Sequence, residues 1–243
     1  MAHRLLTSHR LPPNPSAEER GRRGARSDLL VIIDWDEDGS VQVKPEILSW
    51  SPRIILFHNF LSMQECDYLK AIGRPRLAVS LGVTSKVRTS SGMFLTSEEQ
   101  NLPIIQAIEN RIAVFSQIPA ENGEQMQVLR YKQSQFYSLH FDYFSNVSHT
   151  KKGGQRVATM LMYLNDDVEG GETFFPMAAA GECSCGGTMV RGLCVKPSQG
   201  DALLFWSLGL NGKLDPDTMH AGCPVLRGEK WSATKWMRER TLR

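Results

Sequence analysis

His140 and Asp142 stand two residues apart in a segment, 135–142, whose apolar and polar residues alternate as in a β-strand. Strand periodicity sends side chains i and i+2 to the same face, so one imidazole and one carboxylate can converge on a cation. His220 offers a third donor downstream, in Asp217-Thr218-Met219-His220-Ala221-Gly222, just ahead of the apolar stretch Pro224 to Leu226. Two histidines and a carboxylate form the facial set of non-haem Fe(II). That set leaves three coordination positions open for a bidentate keto acid and then dioxygen. A His-x-Asp pair also describes a surface histidine beside a turn aspartate, so the surroundings must decide. Ten residues after His220, Lys230 opens Gly228-Glu229-Lys230-Trp231-Ser232-Ala233-Thr234-Lys235-Trp236, which alternates as a strand. An inward lysine in a small barrel needs an anion, because burying an unpaired ammonium is costly. The distal carboxylate of 2-oxoglutarate would supply one.

These residues need a rigid frame. After Gln125 the chain runs in short alternating segments at 126–131, 135–142, 156–164, 172–175, 193–196, 201–206 and 230–237. Seven or eight short strands of this kind imply a sandwich or jelly roll. Ahead of them, Ser62 with Glu65 makes a capping box, Cys66, Leu69 and Ile72 share a helical face, and Gly73 can close the helix. Thr96 with Glu99 suggests a second helix start. From Pro103, Ile104, Ile105, Ile108, Ile112 and Phe115 keep helical spacing until Pro119. Two helices before an all-β half would cover one face of a sheet. Leu29 to Ile33, the turn Asp36-Glu37-Asp38-Gly39 and the alternating Val41 and Val43 suggest a hairpin, and Arg53 to Phe57 another strand. Residues 74–92 mix Pro, Gly, Ser, Thr and basic residues around isolated valines, the composition of a mobile loop or weak hairpin that could cover a site.

Several stretches resemble the prolyl 4-hydroxylases of the collagen and plant cell-wall type, within the Fe(II)- and 2-oxoglutarate-dependent dioxygenases. They are 127–131 (Gln-Val-Leu-Arg-Tyr), His140-Phe141-Asp142, 156–165, Gly170-Gly171-Glu172-Thr173-Phe174-Phe175-Pro176, 197–206, and His220 through Trp236, in the family's order over roughly 125–240. The resemblance implies an α+β fold, a double-stranded β-helix (jelly-roll) core with supporting N-terminal helices. It implies Fe(II) on His140, Asp142 and His220, and 2-oxoglutarate on Lys230, Tyr131 and Thr173, with L-ascorbate to rescue oxidised iron. It makes Arg88, Tyr137, Arg156 and Trp236 candidates for contacting substrate, with 74–92 as a lid. The implied reaction hydroxylates peptidyl proline at C4 in a proline-rich chain of polyproline II form, giving 4-hydroxyproline, succinate and CO2. Lysine at 230 resembles the collagen and plant types, since the oxygen-sensing prolyl hydroxylases use arginine there. The Cys-rich segment 181–194 looks like plant and algal members, and a monomeric catalytic unit is favoured. Rival functions are hydroxylation of another side chain or a small molecule, a catalytically dead proline-rich peptide-binding module, and a zinc hydrolase on the same three ligands.

Composition sets the bounds. At 243 residues and 41% hydrophobic content the chain can bury one sizeable core. Residues 1–27 are rich in Arg, Pro, Ser and Glu and read as a flexible basic arm, leaving 28–243 as the catalytic domain. The arm carries six arginines against Glu18 and Glu19, a surplus of +4, so the rest sums to −2 of the total +2. A near-neutral domain lacks the basic stripe that nucleic-acid binding needs. No window approaches a membrane span, and no apolar leader core is visible. Cys183, Cys185, Cys194 and Cys223 cluster late while Cys66 stands apart in the first helix. Two disulfides plus a free thiol is the preferred count. A zinc site, which Cys183-Ser184-Cys185 spaces poorly, and four unpaired thiols in a cytosolic enzyme are the alternatives. Disulfides and the resemblance together point to the endoplasmic reticulum lumen or the secretory pathway.

Overall fold

The computed structural model describes residues 42–79, 87–178 and 181–242. The arm at 1–27, the apolar run at 29–33 and the turn at 36–39 lie outside the described residues. Strands β1 (Lys44–Trp50) and β2 (Arg53–His58) lead into helix α1 (Met63–Gly73), then β3 (Ala78–Val79), β4 (Ser91–Phe94), α2 (Ser97–Gln100) and α3 (Pro103–Ser116). The β-rich half follows as β5 (Gln127–Tyr131), β6 (Tyr137–His140), β7 (Arg156–Tyr163), β8 (Glu169–Gly170), β9 (Thr173–Phe175), β10 (Glu182–Cys185), β11 (Thr188–Arg191) and β12 (Leu193–Val195). It closes with β13 (Ala202–Trp206), β14 (His220–Gly222), β15 (Val225–Arg227) and β16 (Lys230–Arg238).

Among the described residues, one sheet of eight strands runs β1-β2-β13-β7-β16-β5-β4-β3 and one of four runs β12-β9-β14-β6. Every pairing in both is antiparallel. Period-two alternation divides the larger sheet's side chains between two layers. Ala158, Met160 and Met162 of β7, Leu204 of β13, and Ala233 and Met237 of β16 pack on the helical side with Leu69, Ile105, Ile108 and Ile112. From the other face Ile54, Tyr163, Leu203 and Phe205 meet Phe175 and Val195 of the smaller sheet. This is the expected jelly roll with helices backing one sheet.

The capping box at Ser62 is present in full: Glu65 N–H donates to Ser62 Oγ at 3.1 Å, and Ser62 N–H to Glu65 Oε2 at 2.8 Å. The same carboxylate takes both arms of Arg111, at 2.9 and 3.0 Å, which ties α1 to α3. The Thr96 box proves local. It caps the one-turn α2, and a separate helix opens with Pro103 in its first turn. That helix ends at Ser116, ahead of Pro119, because Gln117 turns left-handed at φ 58°. Residues 74–92 form a hairpin at their ends, where Ala78 and Val79 pair with Gly92 and Ser91. Residues 80–86 of the expected lid lie outside the described residues.

Two further corrections concern strand inventory. β1 had no sequence signal, since as an edge strand it is exposed along most of its length and shows no alternation. The expected strand 135–142 stops at His140, so Asp142 sits beyond its end. Disulfides Cys183–Cys194 and Cys185–Cys223 form, with Cα atoms 5.9 and 5.2 Å apart, and Cys66 remains free and buried. They close off the zinc and free-thiol alternatives and pin the β10–β11 hairpin over Phe174 and Ala221.

Ser62→Ala should remove one half of the box and lower stability by about 1 kcal/mol. A urea melt should show a reduced midpoint with an unchanged slope; an unchanged midpoint would mean that the Arg111–Glu65 pair alone fixes α1.

Candidate active site

β14 and β6 pair so that His220 lies directly opposite His140. Each imidazole bonds a backbone carbonyl two residues before it, His140 Nδ1 to Ser138 O at 2.8 Å and His220 Nδ1 to Thr218 O at 2.9 Å. A carbonyl can only accept, so the ring proton sits on Nδ1 and the Nε2 lone pair is presented inward. Asp142 meets them from the turn after β6, its Oδ1 3.6 Å from His140 Nε2 and its Oδ2 3.7 Å from His220 Nε2. Neither Nε2 carries a proton in this tautomer, so these are converging donors and not ion pairs. Burial, then the neighbouring His220, pushes the His140 pKa far down, which keeps this ring neutral. Asp142 titrates below its usual range: burial opposes its ionisation, but His220, His140, Arg156 and the Thr159 hydroxyl together outweigh it. The three donor atoms lie within 4.8 Å of one another, the one such cluster of His, Cys, Asp and Glu among the described residues. Two imidazoles whose Nε2 atoms converge on an ionised carboxylate, with both rings oriented by backbone carbonyls, suit a borderline divalent metal such as Fe(II).

One carboxylate oxygen is already engaged. Thr159 Oγ1 donates to Asp142 Oδ2 at 2.6 Å, from the face of β7 opposite Ala158 and Met160. This hydroxyl does what strand pleating cannot, because Asp142 is past the end of its strand.

Deeper in the same cavity stands Lys230, 3% exposed. Its ammonium lies 5.7 Å from the centre of the Tyr131 ring and 5.5 Å from that of Tyr163, with no salt-bridge partner among the described residues. Burial lowers its pKa to about 8, partly offset by the charge on Glu172. Thr173 shares a hydrogen bond with the Tyr163 hydroxyl at 2.8 Å. Ser232, two residues along β16 from Lys230, lines the cavity with a fully buried hydroxyl that has no partner among the described residues. A buried cation beside an orphaned donor and the Thr173 hydroxyl is an arrangement that a carboxylate would complete.

At the mouth, Tyr137 stacks on His140 with ring centres 3.6 Å apart and planes 15° off parallel. Arg88 lies over the other side of the stack, 4.8 Å from the Tyr137 ring, and bonds Ser90 Oγ and Gln127 Oε1. Trp236 also lines the cavity, its indole N–H buried without a partner among the described residues. Arg156 stands behind the wall. Its guanidinium grips both oxygens of Glu124 at 2.7 Å, stacks 4.1 Å from the Trp236 ring and reaches the Asp142 carbonyl at 3.4 Å. Of the four expected substrate residues, Arg88, Tyr137 and Trp236 therefore line the cavity, while Arg156 braces it.

The model of the 2OG-Fe(II) oxygenase superfamily matches residues 126–238. Prolyl 4-hydroxylase 1 of Arabidopsis thaliana is 60% identical over 91% of this chain and 83% of the relative. This chain belongs to the prolyl 4-hydroxylase family. Prolyl 4-hydroxylase 5 of the same plant is 45% identical over 83% of this chain and 73% of the relative. Among solved structures, the viral collagen prolyl hydroxylase of Paramecium Bursaria Chlorella virus-1, in its 2OG complex, matches with a TM-score of 0.60 at 31% identity. That match covers 76% of this chain and 95% of the viral one. In this prolyl 4-hydroxylase family member, the sequence reading missed Thr159, Tyr163 and Ser232. Alternation along β7 and β16 could have found all three, since each sits an even number of residues from Leu161 or Lys230 on the cavity face.

Thr159→Val keeps the side chain's shape and removes its donor. Fe(II) or Co(II) titration should show roughly 10–100-fold weaker binding, restored by Thr159→Ser. Unchanged affinity in the valine variant would show that Asp142 needs no such brace.

Proposed function

We propose that the protein hydroxylates C4 of peptidyl proline, with Fe(II) held by His140, Asp142 and His220 and 2-oxoglutarate held by Lys230, Tyr131 and Thr173. One observation carries this reading. A buried lysine without a salt-bridge partner among the described residues shares a cavity with the two-histidine, one-carboxylate cluster, and aromatic side chains line that cavity. A zinc hydrolase on the same three ligands would leave Lys230 and Ser232 buried to no purpose, and a dead binding module needs a broken cluster. The relatives named prolyl 4-hydroxylases supply the substrate class.

The chemistry that Fe(II) and 2-oxoglutarate supply when bound is the reductive activation of dioxygen, balanced by loss of CO2 and formation of succinate. The chain's own residues hold and orient. Lys230 would neutralise the far carboxylate of the cosubstrate, with the Thr173 and Ser232 hydroxyls as the nearby donors. His140 and His220 keep their Nδ1 protons on backbone carbonyls, so neither ring can turn its protonated nitrogen toward the metal. Thr159 holds Asp142 in one rotamer. Trp236, backed on one face by Arg156, has its other face to offer a prolyl ring, while Tyr137, held between His140 and Arg88, would present its edge. A substrate in polyproline II form suits such a rim, because its preset backbone has little entropy left to lose. Ascorbate acts as the reductant of oxidised iron in this reading, and the catalytic unit is monomeric. Two disulfides favour an oxidising compartment, the lumen of the endoplasmic reticulum or a later secretory station.

The test is direct. Fe(II), ascorbate, labelled 2-oxoglutarate and a panel of proline-rich peptides should give matched yields of labelled CO2 and 4-hydroxyproline. Ala at His140, Asp142 or His220 should abolish both, and near-normal turnover in any of the three would refute the metal assignment. Lys230→Ala should raise the apparent KM for 2-oxoglutarate by orders of magnitude while metal affinity barely moves, since losing one partner of a buried charge pair costs about 3–5 kcal/mol. Lys230 must be protonated to receive the dianion, and its pKa in the free protein is about 8. Cosubstrate affinity should therefore be flat below that pH and fall as pH rises through it, about tenfold per unit. Lys230→Arg should remove this pH dependence whatever affinity it retains.

A further inference from the structure

The turn between the metal-binding Asp142 and β7 carries a sequence that the reaction does not use. Asn146-Val147-Ser148 has the Asn-x-Ser/Thr pattern of an N-glycan acceptor, and the chain's other candidate, Asn14-Pro15-Ser16, is blocked by its central proline. All three residues are exposed, Val147 at 77%. Asn146 Oδ1 accepts the Ser148 backbone N–H at 2.9 Å, which folds the tripeptide into a tight turn. Asn146 Nδ2 and Ser148 Oγ have no hydrogen-bond partner among the described residues. Both atoms that an acceptor site must offer are thus uncommitted.

The surroundings leave room for a large substituent. Residues 145–154 form an excursion with a locked neck: Phe144 N–H donates to Gln155 Oε1 at 2.7 Å, and Gln155 Nε2 donates to the Phe144 carbonyl at 2.9 Å. Within the loop, Gly154 N–H returns to the Thr150 carbonyl at 3.1 Å. Asp142 lies on the far side of that neck. A group hung from Asn146 would project from a closed loop without pulling on the metal-binding carboxylate. Two disulfides further indicate a compartment in which such groups are added.

We propose that Asn146 is a site of N-linked glycosylation, an assignment that rests on the secretory reading given above. In the step, Asn146 Nδ2 bonds to the anomeric carbon of an oligosaccharide carried on a lipid diphosphate. The carbon–oxygen bond to the diphosphate breaks, the lipid diphosphate leaves with the bonding pair, and the amide loses one proton; nothing is oxidised or reduced. The site stands close to the entrance, since Phe144, two residues earlier, packs 4.7 Å from the Arg156 guanidinium that backs Trp236.

The experiment sends the full chain through the secretory route of a plant or yeast cell behind a cleavable leader. The product is then analysed by peptide mass before and after a peptide-N-glycosidase. The expected result is a sugar on the Asn146 peptide that the enzyme removes, leaving Asp in its place. Asn146→Gln and Ser148→Ala should each lose the sugar while retaining both disulfides and wild-type turnover of a short peptide. A disulfide-bonded product without sugar at Asn146, or a sugar that persists in Asn146→Gln, overturns the assignment. Because the leader enforces the route, the outcome does not depend on where the native chain travels. That reading is tested separately, by whether thiol labelling of native protein finds Cys183, Cys185, Cys194 and Cys223 reduced.

Discussion

The pairing of β14 with β6 is the constraint on which the site depends. It sets His220 against His140 across a three-residue strand, and the two Nδ1-to-carbonyl bonds convert backbone register into ring orientation. Asp142 has no strand to hold it, so β7 of the opposite sheet contributes Thr159 instead. Metal geometry is thus shared between two sheets, and the sandwich between them has to be stiff. Phe175 and Phe205, packed edge to face at 5.2 Å and both close to His220, supply part of that stiffness.

Electrostatics follow the same division. The end with the three donors holds the neutral His140 ring and an ionised carboxylate, while the inner end holds a cation whose protonation burial makes conditional. In the reading proposed above, an anionic cosubstrate would resolve the second condition by pairing with Lys230. Low dielectric makes that pairing strong and its absence costly, so the cavity is chemically incomplete until it is filled. The braces outside the wall, Arg156 on Glu124 and Lys235 on Glu109 at 2.7 Å, satisfy their charges within the chain. That leaves Lys230 as the lysine facing the cavity.

Much of this was legible in residue types and spacing. Lys230 could be placed inward because β16 keeps period two over nine residues. His140 and Asp142 do converge, although only the histidine lies on the strand expected to carry both. The strands that escaped notice are the two- and three-residue pairings β8, β14 and β15, the hairpin β10–β11, and the exposed β1. Segments that short, or open to solvent on both faces, show no alternation to detect. Which cysteines bond could not be read either, since four allow three connectivities. Arg156 shows a related limit: its partner Glu124 lies 32 positions away, and only folding brings the two together.

β16 carries Lys230 at one end and Trp236 near the other, both facing the cavity. Six residues of extended chain span about 20 Å, so a single strand sets the distance between these two groups, the cosubstrate's anchor and the peptide's entrance in the reading proposed above. Inserting or deleting one residue within it would turn one of these two groups to the helical side of the sheet. Lengthening by two would keep both facing inward but part them by a whole pleat. Evolution can therefore vary what this scaffold accepts through the connections 132–136 and 143–155, which end beside the rim. The interval between residues 230 and 236 has to be inherited whole.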